Sequence, residues 1–367
     1  MEAHGGNIYE CQANGNVIDF SSNINPFGVP DSFIKRIEEG VLNLEKYPDI
    51  NYCSLRKNLE RYTTVPMERI FPGNGAVDIL YKAIKASGVE KILIAGPTFA
   101  EYRRGARIAG IEYEELFLHK LETGSFNIEK TLEVLEQEKS KKLLLILCNP
   151  NNPNGGQTTV AELELLAKKL EAQGGRLLID EAFIEFTDGY PESSFMGKLE
   201  NYRNTMVVRA MTKFFGMPGI RFGYGLSYDE GWLAEMESSC EPWAVNAFAE
   251  LAVDTVLKDE EYIKKTKEWI AVERDYMMKE LKKIEGMTVF QTFSDFVLCR
   301  LDKKIPELNG NKLYEELLLN KILIRKPIGF TGLGEDYFRL AIKDRGSNRL
   351  LLNALSRVMS NTNLSNS

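Results

Sequence analysis

Four short, unbroken apolar runs constrain this chain more than any other feature. They are Lys91–Ala95 (KILIA), Leu143–Cys148 (LLLILC), Arg176–Ile179 (RLLI) and Thr205–Val208 (TMVV), with amphipathic helical stretches between them. None alternates polar with apolar residues, so each reads as a strand covered on both faces. The alternation of such strands with helices predicts an α/β fold, a doubly wound and mostly parallel sheet. The clearest helix is Thr158–Gln173 (TTVAELELLAKKLEAQ), closed by Gly174–Gly175. From about Asp259 the texture changes. A long charged helix over Asp259–Ile284 leads to strands at Met287–Phe290 and Phe296–Arg300. A helix near Leu313–Leu319, a strand at Ile322–Arg325 and a last helix near Asn348–Met359 follow. This is the pattern of a second, smaller α+β domain. The large domain is expected over Leu44 to Asp254. The small one comprises residues 1–43 and 255–367, since the N-terminal stretch has no core of its own.

Charge and side-chain inventory narrow the chemistry. Lys plus Arg number 46 against 53 Asp plus Glu, a net charge of −7 in 367 residues. Nucleic-acid binding, which wants a clustered basic surface, is not expected. No apolar run approaches the roughly 18 residues of a membrane span. The start, MEAHGGNIYE, does not read as a signal peptide, so a cytoplasmic location is expected. Cys11, Cys53, Cys148, Cys240 and Cys299 are scattered without a CxxC pair, and His4 and His119 are the sole histidines. A disulfide framework, a metal centre and a Ser-His-Asp triad are therefore not expected. The cysteines and His119 read as structural. Catalysis has to rest on Lys, Arg, Asp or Asn and a borrowed cofactor.

Open α/β sheets bind ligands beyond the carboxyl ends of their strands. After KILIA comes Gly96-Pro97-Thr98-Phe99, and after LLLILC comes the amide-rich turn Asn149–Gly155 (NPNNPNG). After RLLI comes Asp180, and after TMVV come Lys213 and then Arg221. One rim thus collects an aromatic, an amide, a carboxylate and an ammonium. Pyridoxal phosphate asks for that set: a lysine for the Schiff base, an aspartate on the ring nitrogen, a donor to the ring oxygen and an aromatic on the ring face. Its phosphate asks for cations and backbone N–H groups.

The motifs run in order along nearly the whole chain: HGGN at His4–Asn7, DFSSNINPFG at Asp19–Gly28, KYPD at Lys46–Asp49, GNGAVD at Gly73–Asp78, PTFAEY at Pro97–Tyr102, NPNNPNG, DEAF at Asp180–Phe183, TKFFGMPGIRFGY at Thr212–Tyr224 and PWAVN at Pro242–Asn246. With them the chain resembles fold type I pyridoxal-phosphate enzymes of the aspartate-aminotransferase type, in the branch that holds histidinol-phosphate aminotransferases and threonine-phosphate decarboxylases. The resemblance implies roles. Lys213 carries the cofactor and moves protons, Asp180 pairs with the ring nitrogen, and Asn152 donates to the ring oxygen. Phe99 or Tyr102 stacks on the ring, Phe99 being favoured. Gly75, Ala76 and Val77 supply amides to the phosphate, with Arg221 and, in part, Thr212. Tyr47 reaches the phosphate of a neighbouring subunit, which implies a homodimer with shared sites. Arg339, in FRLAI, clamps the substrate carboxylate through its fork. His4, Ser21, Asn23, Asn152 and Arg325 complete the substrate pocket.

Two departures sharpen the expectation. Ala210 stands where many relatives have a hydroxyl, and Phe183 where aminotransferases usually have a tyrosine. Phe183, the leading HGGN, SSNINP and the pair Arg325 and Arg339 resemble the decarboxylase branch. They imply a substrate with both a carboxylate and a phosphate, foremost L-threonine 3-phosphate, decarboxylated to 1-amino-2-propanol phosphate for cobalamin synthesis. The alternative is an aminotransferase, such as one for histidinol phosphate with 2-oxoglutarate.

Overall fold

The structure, a computed structural model, describes residues 5–10, 17–138, 142–302, 308–326 and 328–364. Its strands in chain order begin with β1 (Ile18–Asp19), β2 (Ile70–Gly73), β3 (Lys91–Gly96) and β4 (Glu112–Phe117). A small hairpin, β5 (His119–Lys120) and β6 (Ser125–Phe126), precedes β7 (Leu143–Cys148), β8 (Arg176–Asp180), β9 (Thr205–Ala210) and β10 (Gly223–Ser227). Seven of these form one sheet in the order β2-β10-β9-β8-β7-β3-β4. All its neighbours pair in parallel except β10, which runs antiparallel to both β9 and β2.

The unbroken apolar runs have a physical reason. Along β7, Leu143, Leu145 and Leu147 feed one core, while Leu144, Ile146 and Cys148 feed the other. The first core is closed by Leu163, Leu166 and Leu170 of the Val160–Ala172 helix, and the second by Ile79 and Leu80 of the Ala76–Lys85 helix and by Trp232. The predicted Thr158–Gln173 helix begins two residues late, because Thr159 and Glu162 form a reciprocal capping box at its start.

Three strands of the large sheet escape the apolar-run criterion. Pro72 interrupts β2, which Pro tolerates because β2 lies at the sheet edge. β10 (GYGLS) is glycine-rich, and β4 (EYEELF) at the other edge alternates in burial.

The C-terminal part builds a second sheet, in the order β11-β12-β14, from β11 (Met287–Val289), β12 (Phe296–Leu301) and β14 (Tyr337–Ala341), all antiparallel. β13 (Ile322–Leu323) pairs in parallel with β1, and Ala341 N–H donates to Phe20 O at 2.9 Å. The chain after β1 is thereby tied to the C-terminal part. The Asp31–Gly40 helix instead packs on the Ala247–Val256 helix, where a Cβ on Gly40 would stand 2.3 Å from Leu251 Cδ1. The long helix is Glu260–Leu281, and the last is Arg345–Leu364. No helix among the described residues is long and apolar enough to cross a membrane.

The strand order switches beside β3: the chain passes to β4 on one side, then to β7 on the other. The loops after β3 and β7 diverge there and leave a crevice at the carboxyl ends of the strands.

Candidate active site

That crevice opens into a cavity of about 490 Å³, a size suited to a cofactor and a small substrate. The four strand tips converge on it. Phe99, Asn152, Asp180 and Lys213 line it with Gly75, Ala76, Val77, Tyr102, Thr212, Arg221, Ser21, Asn23, Arg325 and Arg339. Two of the expected residues remain. His4 lies outside the described residues. Tyr47 is 80% exposed on the surface, its ring 4.7 Å from that of Trp243, and does not line this cavity.

The amide-rich turn after β7 shows why one asparagine of four serves the cavity. Asn149 is bound to Thr158 in both directions, and Asn151 Nδ2 donates to Pro97 O and to Asn154 Oδ1. Those bonds build the turn and tie it to the loop after β3. Asn152 Oδ1 accepts instead from Arg339 Nη1, a group of the C-terminal sheet.

Asp180 ends β8 and is buried. Oδ1 accepts from Ala182 N–H at 3.0 Å and Oδ2 from Tyr102 O–H at 2.7 Å. Burial raises its pKa, while Tyr102, Ala182 and the Lys213 charge pull the other way. The resemblance left Phe99 and Tyr102 open as ring partners. The structure separates them: the Tyr102 hydroxyl is committed to Asp180, and Phe99 stands edge-on to it at 5.8 Å, on the cavity wall. Burial and the adjacent carboxylate hold the Tyr102 phenol protonated as a donor.

Lys213 sits in the single helical turn after β9. Burial lowers its pKa to about 8, so the neutral, nucleophilic amine is available near neutral pH.

An anion cradle lies opposite. Gly75 has φ +92, and a Cβ there would stand 2.7 Å from Arg221 Nη2. Glycine is thus required by both backbone and space. The Gly75 N–H donates to Gly73 O at 2.8 Å, so the unengaged amides of the cradle are those of Ala76 and Val77 at the first turn of the following helix. A helix has no internal partners for these amides, which makes them anion ligands.

The C-terminal part contributes two buried guanidinium groups. Arg325 and Arg339 face each other across paired backbone, each N–H donating to the other's carbonyl at 3.1 and 3.0 Å. Phe338 and Leu340 enter the core, so Arg339 between them turns to the cavity, where Nη2 donates to Ser21 O at 2.8 Å. Burial lowers the pKa of Arg325 to about 10 and that of Arg339 to about 9, the Arg325 charge adding to the latter. Asp19 accepts from Ser21 and Ser22 and so shapes the loop that brings both, with Asn23, to the cavity. Among the described residues Asn23 Oδ1 and Arg339 Nε, both buried, have no hydrogen-bond partner, polar atoms placed for a ligand.

Sequence reasoning missed several lining residues, among them Leu80, Glu101, Arg104, Cys148 and Phe330. Glu101 and Arg104 follow PTFA one helical turn apart, a signal that was readable. Phe330, 5.4 Å below the Arg325 guanidinium, has no local signature. Cys148, read as structural, lines the cavity and donates Sγ–H to Pro150 O. Among the described residues no cluster of His, Cys, Asp or Glu could hold a metal ion.

A mostly parallel sheet with a buried lysine, a strand-end aspartate and an arginine-glycine anion cradle defines a class of cofactor-dependent enzyme. The chain belongs to the aminotransferase class I and II family, whose model matches residues 15–358. It is 40% identical, over 96% of its length and 92% of the relative's, to a protein of Caldanaerobacter subterraneus subsp. tengcongensis provisionally named threonine-phosphate decarboxylase. It is 32% identical to the threonine-phosphate decarboxylase of Salmonella typhimurium, over 97% and 96% of the two chains. Among solved structures, the histidinol-phosphate aminotransferase of Clostridium acetobutylicum superposes with a TM-score of 0.85 at 41% identity, covering 93% of this chain and 99% of that one. Enzymes of this family, decarboxylases and aminotransferases alike, depend on pyridoxal phosphate, and this site has the groups that cofactor requires.

Proposed function

We propose that the protein decarboxylates an O-phosphorylated amino acid on pyridoxal phosphate, with L-threonine 3-phosphate as the first candidate and 1-amino-2-propanol phosphate as its product. One observation carries this reading: two buried, adjacent arginines, Arg325 and Arg339, open on the cavity that holds Lys213 and Asp180. Two guanidinium groups on one cavity suit a substrate that carries two anions, and a phospho-amino acid supplies a carboxylate and a phosphate.

The cofactor, when bound, supplies an electron sink for a broken bond at the substrate Cα. The rest is the protein's work. Lys213 Nζ holds the cofactor and later returns a proton to Cα. Asp180, oriented by Tyr102, keeps the ring nitrogen protonated. Asn152 serves the ring oxygen, because Phe183, packed on Phe296 at 5.1 Å, carries no hydroxyl. Phe99 covers the ring, and Ala76, Val77, Thr212 and Arg221 take the cofactor phosphate. Arg339 would hold the substrate carboxylate and so fix which bond at Cα is broken, the contact by which the protein would favour loss of CO₂. Arg325, Ser21 and Asn23, with His4, receive the substrate phosphate.

The working unit in this reading is a homodimer. The turn Val41–Glu45 buries none of its residues, Leu42 and Tyr47 are largely exposed, and the Tyr47 ring lies beside that of Trp243. A second copy covers this surface, and Tyr47 reaches the partner's cofactor phosphate.

The competing reading is transamination of histidinol phosphate, which the likeness to the Clostridium acetobutylicum enzyme favours. One experiment separates the two. Purified, cofactor-loaded protein is mixed with L-threonine 3-phosphate in the absence of an oxo-acid. Sustained release of CO₂ and aminopropanol phosphate is expected. Stoichiometric oxo-acid without CO₂ overturns the decarboxylase reading, and turnover of histidinol phosphate with 2-oxoglutarate establishes the other.

A further inference from the structure

The part of the cavity wall that carries Phe330 is a loop before β14, and two arginines hold it from opposite sides. Arg325, on the cavity, donates from Nη2 to Ile328 O at 2.9 Å, and its guanidinium lies 5.4 Å from the Phe330 ring centre. Arg103, in the Glu101–Ala109 helix, donates from Nη2 to Gly329 O at 2.8 Å and from Nη1 to Thr331 Oγ1. Residues 328 and 330 thus serve the cavity arginine, while residues 329 and 331 serve Arg103. Arg103 itself does not line the cavity.

Arg103 is in turn fixed to the large sheet. Its Nη1 pairs with Glu115 Oε2 at 2.8 Å, and the Thr331 hydroxyl donates to the same oxygen at 2.8 Å, which closes a ring of three side chains. Glu115 belongs to β4 and lies over Gly96 of β3, where a Cβ would stand 2.6 Å from Oε1. Gly332 rests against Phe117 of the same strand, a Cβ there meeting Cδ2 at 3.0 Å. The side chains of Arg103 and Glu115 are only 15% and 6% exposed, so water competes little for these charge-assisted bonds. A loop of the C-terminal part is thereby seated on the edge of the large sheet.

We propose that Arg103 is a positioning residue that sets the preference for a phosphorylated substrate: it fixes residues 329 and 331, and with them the carbonyl and the ring that hold Arg325. This role rests on the reading above that Arg325 receives the substrate phosphate. A long arginine side chain loses rotamer freedom when it grips an anion. One already bound to a fixed carbonyl and a fixed ring has lost that freedom beforehand, so less affinity is forfeited on binding.

The consequence is selective. A ligand with a phosphate gains from the prepared Arg325, and the same ligand without one does not. The side chain of Arg339 is held by Asn152 and by Ser21 O instead, so the carboxylate contact does not depend on the loop.

The test reads two ligands on one protein. Cofactor-loaded wild type and variants are titrated with L-threonine 3-phosphate and with L-threonine, and binding is followed by the cofactor absorbance. In Arg103→Gln the dissociation constant of the phosphorylated ligand should rise about tenfold, and that of L-threonine by less than about twofold. In turnover, KM should rise while kcat holds. Thr331→Val, at an exposed position, should shift the preference the same way by a smaller factor, and it decides the matter if Arg103→Gln does not fold. Adding Arg103→Gln to Arg325→Ala should change the preference no further, because the two side chains act as a unit. Equal losses for both ligands, an unchanged preference in folded variants, or a further loss in the double variant overturns the proposal. Binding alone is read in the titrations, so transamination in place of decarboxylation leaves them valid. A wild-type protein with no preference for the phosphorylated ligand overturns both this role and the assignment of the phosphate to Arg325.

Discussion

The hydroxyl of Tyr102 donates to Oδ2 of Asp180 at 2.7 Å, between two residues that are 78 apart in sequence and both buried. The phenol holds the carboxylate at one angle and stabilises its charged form. A buried hydrogen bond to a charged group is worth about 1.5–3 kcal/mol. Tyr102→Phe should therefore keep the cofactor and lower kcat by roughly 10–100-fold with little change in KM. Steady-state kinetics on the loaded variant decide it, and an unchanged kcat removes Tyr102 from the mechanism.

Lys213 and Asp180 should separate binding from turnover. Lys213→Ala should lose the yellow Schiff-base absorbance entirely. Asp180→Ala should bind cofactor and lose roughly 10²–10³-fold in kcat, the usual scale for removing one key charge-stabilising group. Retained absorbance in the first variant, or full turnover in the second, sinks the corresponding role.

The two arginines should divide the substrate between them. Arg339→Lys should raise KM by about 30-fold or more, because an ammonium cannot replace a two-pronged guanidinium contact. Arg325→Ala should abolish the preference for L-threonine 3-phosphate over unphosphorylated L-threonine as a competing ligand, and Arg339→Ala should preserve it. Equal losses for both ligands in Arg325→Ala would mean that the phosphate is read elsewhere.

At Gly75 a single methyl group should be enough to damage the cradle. It would meet Arg221 Nη2 at 2.7 Å and force a side chain into φ +92. Strain of this kind costs about 1–3 kcal/mol, so Gly75→Ala should weaken cofactor binding by roughly tenfold or more. Equilibrium titration of the cofactor-free variant measures this directly.

His119 should make the fold sensitive to acid. It is 3% exposed, its Nε2 lies 3.2 Å from Ala95 O, and burial lowers its pKa to about 4. An unfolded histidine titrates near 6.5, so the unfolded chain binds the proton first as pH falls. Stability should be unaffected above pH 6.5 and fall by up to about 3 kcal/mol between pH 6.5 and 4. Denaturant melts of wild type and His119→Gln across that range should show the slope in the first and its loss in the second.

Much of the rim was legible because β3, β7, β8 and β9 are covered on both faces, which writes each as an unbroken apolar run with its chemistry just beyond the end. The cradle at Gly75 and the lysine and arginine of TKFFGMPGIR were legible as local motifs. Other features had no local signal. Tyr102 reads like a second ring partner, and only the packing of the Glu101–Ala109 helix beside β3 and β4 brings its hydroxyl to Asp180. Asp295, in the stretch TFSD, carries no local sign of burial, yet it is wholly enclosed where β12 begins. Arg325 and Arg339, with 13 residues between them, become neighbours because their backbones pair. The sequence by itself determined the strands, the cofactor groups at their tips and the family. The tertiary structure decided which polar groups meet in the dark of the core, because burial and distance between remote segments set their charges, and neither is written in any one stretch of chain.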